Sequence, residues 1–251
     1  MIIIGYVNYN CSDSINSSII SVGDNAMCVV CDNSGNYNNI YNVKVVCPKS
    51  NIGLYNGFNY IIKSLSKINY NWFLASNPDI EYNYDFFNQL KKNKNKHQVI
   101  APSIISNLTG HNQNPQILKR PTKMKMKIYS LIWNNYYLGV LYIYISFLVR
   151  KLKTKVGDTN ISNKIYCPHG SLVIYSKFYL DNNNGLEHPT VLFGETIEIA
   201  EKCRINKIDI IFRPTLKVFH AEHVTTGLLR PKNVMKLQGE SAKYYYDKYW
   251  N

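Results

Sequence analysis

Short apolar runs at residues 2–7, 27–31, 43–47, 72–75 and 99–101 punctuate the first hundred residues, and their spacing limits the fold sharply. Each has strand length and is too short for a buried helix. Between the third and fourth runs, Leu54, Phe58, Ile61, Ile62 and Leu65 recur at helical spacing, so an amphipathic helix connects two strands. Further helices are expected around residues 14–21 and 86–90. Strands that alternate with helices call for a mostly parallel sheet with helices on its faces. The later chain returns to this pattern, with strands expected at 172–175, 208–212 and 216–219 and a helix at 196–204. The reading is therefore an α/β fold, and 251 residues suffice for one large domain or two small ones.

The middle of the chain breaks the pattern. Net charge is +13, from 29 Lys and Arg against 16 Asp and Glu. Thirteen of those cations lie between Asp85 and Asp158, where no acidic residue occurs. Such a patch suits a polyanion, either nucleic acid or an anionic membrane surface. Lys119, Arg120, Lys123, Lys125 and Lys127 precede residues 128–149, which carry no charge; Arg150, Lys151, Lys153 and Lys155 follow. That length permits a membrane-crossing helix. The run also holds Ser130, Asn134, Asn135 and Ser146, and its Tyr129, Trp133, Tyr136, Tyr137, Tyr142 and Tyr144 suit the headgroup zone. The expectation is an inserted basic, aromatic helix lying on the membrane, with a packed or partner-facing helix and a true span as the alternatives. A nucleic-acid-binding protein is the rival class, but no recognisable module supports it and no nucleic-acid partner is expected. Three parts follow: an α/β part over 1–118, the basic segment over 119–156, and a second portion of the same α/β domain over 157–251 with a C-terminal helix.

Met1 is followed by three isoleucines with no basic region before them, which reads as a buried first strand and not as a signal peptide. Cys28 and Cys31 form a lone CxxC inside a strand, where their thiols face opposite ways. Without a second ligand pair they read as buried free thiols in a reducing cytoplasm. A cytoplasmic protein held on the inner face of the plasma membrane is the expected location.

Four short stretches carry groups able to do chemistry. Asp32-Asn33-Ser34-Gly35 follows the second strand, at the strand end where open α/β sheets bind ligands. Asn77-Pro78-Asp79 follows the fourth, and Asp79 could hold a hard divalent cation. Glu195 opens a helix, where the dipole favours an ionised carboxylate suited to general-base work. His220 ends a strand, with His223 close by. Taken singly, each is an ordinary turn, helix-start or surface residue.

Together they form a series. GYVNYN (5–10), CDNSG (31–35), NIGLYNGFN (51–59), SNPD (76–79), FGE (193–195) and the stretch from Arg213 to His220 resemble the family 2 glycosyltransferases of GT-A fold. The rhamnosyltransferase-like branch, with motifs VxYN, VDNxS, NxGxxxGxN, NPD and FGED, is the most similar. The resemblance covers about residues 2–110 and 165–222 and leaves out the basic middle. It implies that Tyr9 and Asp32 contact the nucleotide base and that Asn51 flanks it. It further implies that Asn77 and Asp79 serve a metal ion, Mg²⁺ or Mn²⁺, and the diphosphate, with His220 approaching the same group. Glu195 matches the acidic pair that holds the catalytic base. Thr196 stands where the family's second acid usually lies, so Glu198 is the alternative base. The implied activity is inverting transfer from dTDP-rhamnose or a UDP-hexose to a lipid-linked or cell-surface glycan. An inactive binding protein of the same fold is the alternative. A dinucleotide-binding dehydrogenase is excluded, because no glycine follows Gly5 in the turn after the first strand.

Overall fold

The computed structural model describes residues 1–41, 43–93, 98–152, 163–186, 188–190, 193–221 and 232–251. His223, Lys153, Lys155, Asp158 and the 156/157 boundary lie outside the described residues. Among the described residues nine strands build the sheet: β1 (Ile2–Asn8), β2 (Met27–Asp32), β3 (Lys44–Val46), β4 (Trp72–Ser76), β5 (Ile80–Tyr82), β6 (Gln98–Ser106), β7 (Asn163–Ile165), β8 (Leu172–Ser176) and β9 (Asp209–His220). Their order is β3-β2-β1-β4-β8-β6-β9-β5, with β7 also on β9. β1 to β4 run parallel, β8 is antiparallel to both β4 and β6, and β9 runs parallel with β6. Both halves of the sequence therefore share one sheet.

Every residue of β1 is buried, as expected of a central parallel strand covered on both faces. Ile3 and Val7 enter one core while Ile2, Ile4 and Tyr6 enter the other. Cys28 and Cys31 separate in the same way, one thiol in each core, as their spacing requires. Five of the six cysteines are buried free thiols, but Cys47 is exposed. α2 (Leu54–Ser64) covers the first face with Tyr55, Phe58 and Ile61. It comes so close that a Cβ on Gly57 would lie 2.8 Å from Val7 Cγ2. α1 (Ser12–Val22) and α3 (Phe86–Lys91) cover the second face. The short α6 (Lys177–Asn182) follows β8, and α7 (Glu195–Ile205) precedes β9.

Two expectations need correction. Residues 209–212 and 216–219 belong to the single strand β9, not to two strands. Pro214 has no N–H to donate, so pairing with β6 jumps from Pro102↔Arg213 to Ser103↔Lys217 and the strand bulges instead of ending. The uncharged run 128–149 is likewise not one helix. It divides into α4 (Lys123–Asn134) and α5 (Tyr136–Leu152) at Asn135. Asn135 has extended backbone, and its Oδ1 accepts the N–H groups of Tyr137 and Leu138, starting the second helix as a cap. Among the described residues no helix is long and apolar enough to cross a membrane. α4 instead packs on α8 (Lys232–Tyr249), where Trp133, Met235 and Ala242 form a third small core.

Candidate active site

The C-terminal ends of β1, β2 and β4 meet the start of β8 and the end of β9 along one edge of the sheet. The register makes this explicit: Asn8 pairs with Asp32, Ser76 with Leu172, and Ile80 with His220. Asn77, Asp79, Ser171 and His220 are brought together by these pairings, although 49 residues separate Ser171 from His220 in sequence. The main-chain N–H of Asn77 donates to the Ser171 carbonyl at 2.8 Å, which ties the β4 end to the turn before β8.

At the β1–β2 end, Asp32 is buried and organises its own loop. Its Oδ1 accepts Asn8 Nδ2 at 2.9 Å and the N–H groups of Ser34 and Gly35 at 3.1 Å, and its Oδ2 accepts the Tyr37 N–H at 2.9 Å. Burial pushes its acidity the other way, yet these donors outweigh it and hold the carboxyl below its usual range. Oδ1 is saturated, so Oδ2 is the atom left with capacity for a ligand. Tyr9 stands half-exposed on the loop after β1. Asn51 is exposed and folds its Oδ1 onto the Gly53 N–H. Asn33 Nδ2 donates to the Gly53 carbonyl, joining the two loops. A concavity of about 320 Å³ opens beside them, lined by Asn10, Cys11, Ser12, Asp13, Ser14 and Asn36. A larger one, about 500 Å³, lies at the opposite edge of the sheet around Met1, Gly23 and Asn71, away from every group named above.

At the β4–β9 end, Asp79 Oδ1 and His220 Nε2 face each other at 3.3 Å, both side chains nearly buried. Gln113 presents its amide oxygen to His220 Nδ1 at 2.8 Å, so Nδ1 carries the proton. The Nε2 lone pair is then aimed at a carboxylate, an arrangement that a shared proton or cation stabilises. As a donor set, one carboxylate and one imidazole fit a divalent cation that takes its other ligands from a diphosphate and water. Among the described residues no group of three or more His, Cys, Asp or Glu could hold a metal.

The turn 169–171 sits between this pair and Glu195. The His169 ring lies 6.1 Å from the His220 ring. A Cβ on Gly170 would lie 3.5 Å from Glu195 Oε1 and 3.2 Å from Thr196 Cγ2, so the first turn of α7 rests against this glycine. Glu198, one turn further on, points away. Its buried carboxylate accepts Lys248 Nζ at 3.0 Å and the Tyr249 hydroxyl at 2.9 Å, with Lys202 Nζ at 3.5 Å. These partners occupy it in holding α8 to α7, which leaves Glu195 as the carboxylate of α7 facing the edge.

The fold has counterparts among solved structures. No protein-family model matches the sequence, and no curated protein matches it. Solved structures do match. GalNAc-T7, crystallised with UDP, GalNAc and Mn²⁺, covers 100% of this chain at a TM-score of 0.65 and 13% identity. TarS 1–349 of S. aureus, in complex with UDP-GlcNAc, covers 90% of it at 0.56 and 15% identity. The fold is GT-A. This chain spans 50% of the GalNAc-T7 chain and 60% of the TarS one, and at such identities the likeness is one of fold.

Within this GT-A frame, a second layer of residues went unread in the sequence. His188 Nε2 lies 2.8 Å from Thr190 Oγ1, which donates to the Phe193 carbonyl at 3.0 Å. With Nε2–H donating, His188 Nδ1 accepts the Tyr245 hydroxyl at 3.0 Å. This network holds the turn before Glu195, where Phe193 (φ 67°) and Gly194 (φ 82°) are both left-handed. Burial pushes the His188 imidazole down to about 4, so it is neutral in the folded protein near neutral pH. Gln113 and Asn114 were also missed; Asn114 Oδ1 accepts the His169 N–H at 2.7 Å. The left-handed Gly194 is the one local signal that could have pointed here, since a glycine before a helix start marks a turn of this kind.

Proposed function

We propose that this protein is an inverting glycosyltransferase that moves a sugar from a nucleotide-diphosphate donor to a lipid-linked or cell-surface glycan. The observation that carries the proposal is the Asp79–His220 pair and the Glu195 carboxylate on either side of the 169–171 turn, at the ligand-binding edge of a GT-A sheet. Tyr9 offers an exposed ring for the base to stack on, and Asp32 Oδ2 offers an acceptor for a base or ribose donor. Asp79 and His220 would hold a divalent cation, Mg²⁺ or Mn²⁺, beside the diphosphate. When bound, that cation neutralises charge on the departing diphosphate. Asn77, whose main chain is already fixed to Ser171, keeps its side-chain amide for a phosphate oxygen. Glu195 takes the proton from the acceptor hydroxyl as its oxygen attacks the anomeric carbon from the face opposite the diphosphate, and the configuration inverts.

The donor is a UDP-hexose or dTDP-rhamnose. The UDP and UDP-GlcNAc in the two similar structures support the first, and the Asn-Pro-Asp motif of the rhamnosyltransferase-like family 2 branch supports the second. A thermal-shift series with UDP-, dTDP- and GDP-sugars, each with and without Mg²⁺ or Mn²⁺, tests the proposal. One donor should raise the melting temperature in a cation-dependent way; no shift with any sugar nucleotide would overturn it.

A further inference from the structure

Residues 136–149 of α5 carry no charge on any side, and most of them are apolar or aromatic, a composition that belongs in a core or at a lipid surface. The protein covers one side of it. Tyr136, Val140 and Ile143 pack on the small core of Trp133, Met235 and Ala242. The other side, with Tyr137, Leu138, Leu141, Tyr144, Ile145 and Leu148, faces outward and is exposed, Tyr137 to 77% and Tyr144 to 61%. Tyr137, Leu141, Tyr144 and Leu148 fall on a single helical stripe.

The charge around this stripe identifies what covers it. α4 folds back along α5, since the Tyr142 ring lies 6.2 Å from Tyr129 and 5.6 Å from Trp133. Tyr142 follows the break at Asn135 and Tyr129 precedes it, so the two helices run antiparallel. Lys123, Lys125 and Lys127, all exposed, therefore stand level with the second half of α5. No acidic residue occurs between Asp85 and Asp158 in the sequence, and among the described residues none forms an ion pair with these three lysines. A second copy docking here would bring like charges together. A nucleic acid would use the lysines but has no use for a leucine and isoleucine face. An anionic bilayer satisfies both halves of the pattern.

We propose that α5 lies flat on an anionic lipid bilayer, with its outward stripe in the headgroup zone and the lysines of α4 on the lipid phosphates. Tyrosine rings suit that depth, where one end of the side chain is wet and the other is not. The cytoplasmic leaflet, which carries anionic lipid, is the surface it fits.

The test is co-sedimentation of the whole chain with phosphatidylglycerol–phosphatidylcholine vesicles and with pure phosphatidylcholine vesicles, at low and high salt. Two variants accompany it, both confined to exposed positions and checked for unchanged thermal unfolding. One is Lys123→Gln/Lys125→Gln/Lys127→Gln, and the other is Leu141→Asp/Tyr144→Asp. The wild type should sediment with the anionic vesicles alone and release in high salt. The triple variant should lose about 10²-fold in partitioning, since each cation near the surface contributes about fivefold. The double variant should lose binding as well, with its lysines intact. Failure of the wild type to bind would overturn the proposal, as would full vesicle binding by the double variant. Equal binding of both proteins to duplex DNA, with loss only in the triple variant, would show a general polyanion site instead. A wild-type dimer that Leu141→Asp/Tyr144→Asp dissolves, without vesicle binding, would assign the face to a second copy.

Discussion

Glu195 and Glu198 lie one turn apart on the same helix, and single amide substitutions separate their roles. The Glu198 carboxylate is 5% exposed and gathers Lys248, Lys202 and the Tyr249 hydroxyl. Hydrogen bonds to a charged group contribute roughly 1.5–3 kcal/mol each. The Lys248 side chain is 37% exposed, however, so water recovers part of what it loses. Glu198→Gln should therefore destabilise by about 3 kcal/mol, which for a chain of this size lowers the melting temperature by roughly 6–12 °C. Glu195→Gln removes a favourable first-turn charge, worth about 0.3–1 kcal/mol, and keeps the shape and hydrogen-bonding capacity of the side chain. It should unfold close to the wild type yet lose roughly 10²-fold or more in turnover, as expected for loss of a general base. Thermal unfolding by circular dichroism and sugar-nucleotide turnover, measured well below both melting temperatures, give the two readouts. A Glu198→Gln protein that melts like the wild type but does not turn over would refute the assignment, and full turnover in Glu195→Gln would refute it as directly.

Three further outcomes are expected. His188 is held at about 4 when folded, against an ordinary value near 6.5, so between those values the unfolded chain binds a proton that the folded one refuses. Stability is then complete above about pH 6.5 and falls by about 3 kcal/mol in all as the pH drops to about 4; denaturant unfolding across this window should show the slope in the wild type and a flatter one in His188→Gln. Asp79→Asn should abolish the cation-dependent part of any sugar-nucleotide thermal shift, and calorimetric titration with Mn²⁺ in the presence of the nucleotide checks it. Gly194→Ala places a Cβ against the Tyr245 ring at a left-handed position, so it should destabilise by about 2 kcal/mol or more and lower turnover as well, since the same turn presents Glu195.

The α/β frame is legible in the sequence because a strand buried on both faces must be a short, nearly unbroken apolar run, as residues 2–7 and 72–75 are. The bulge in β9 is not legible, because Pro214 reads as a terminator unless the partner strand is known to tolerate a gap in pairing. Nor is the break at Asn135, where an absence of charge over 22 residues masks a polar cap in the middle of the run. Motif order alone singles out Asp32, Asp79, Glu195 and His220 as candidates, and the fold brings them to one edge of the sheet. Their supports cannot: His188, Gln113 and Tyr245 act through partners up to 107 residues away, and a histidine or glutamine in a loop carries no periodic signal.

α8 has a consequence for the order in which a growing chain becomes competent. Tyr245 reaches His188, Lys248 and Tyr249 reach Glu198, and Trp250 Nε1 donates to the Pro121 carbonyl. His188 leaves the ribosome 57 residues before Tyr245 does. At roughly 5–20 residues per second, the turn that presents Glu195 waits about 3–11 seconds for the helix that steadies it. During that interval the sheet edge with Asp32 and Asp79 is already synthesised, and the carboxylate that completes the site is not yet held. Translation thus runs ahead of assembly, and a nascent chain stalled short of α8 carries the proposed donor-binding edge without a fixed Glu195.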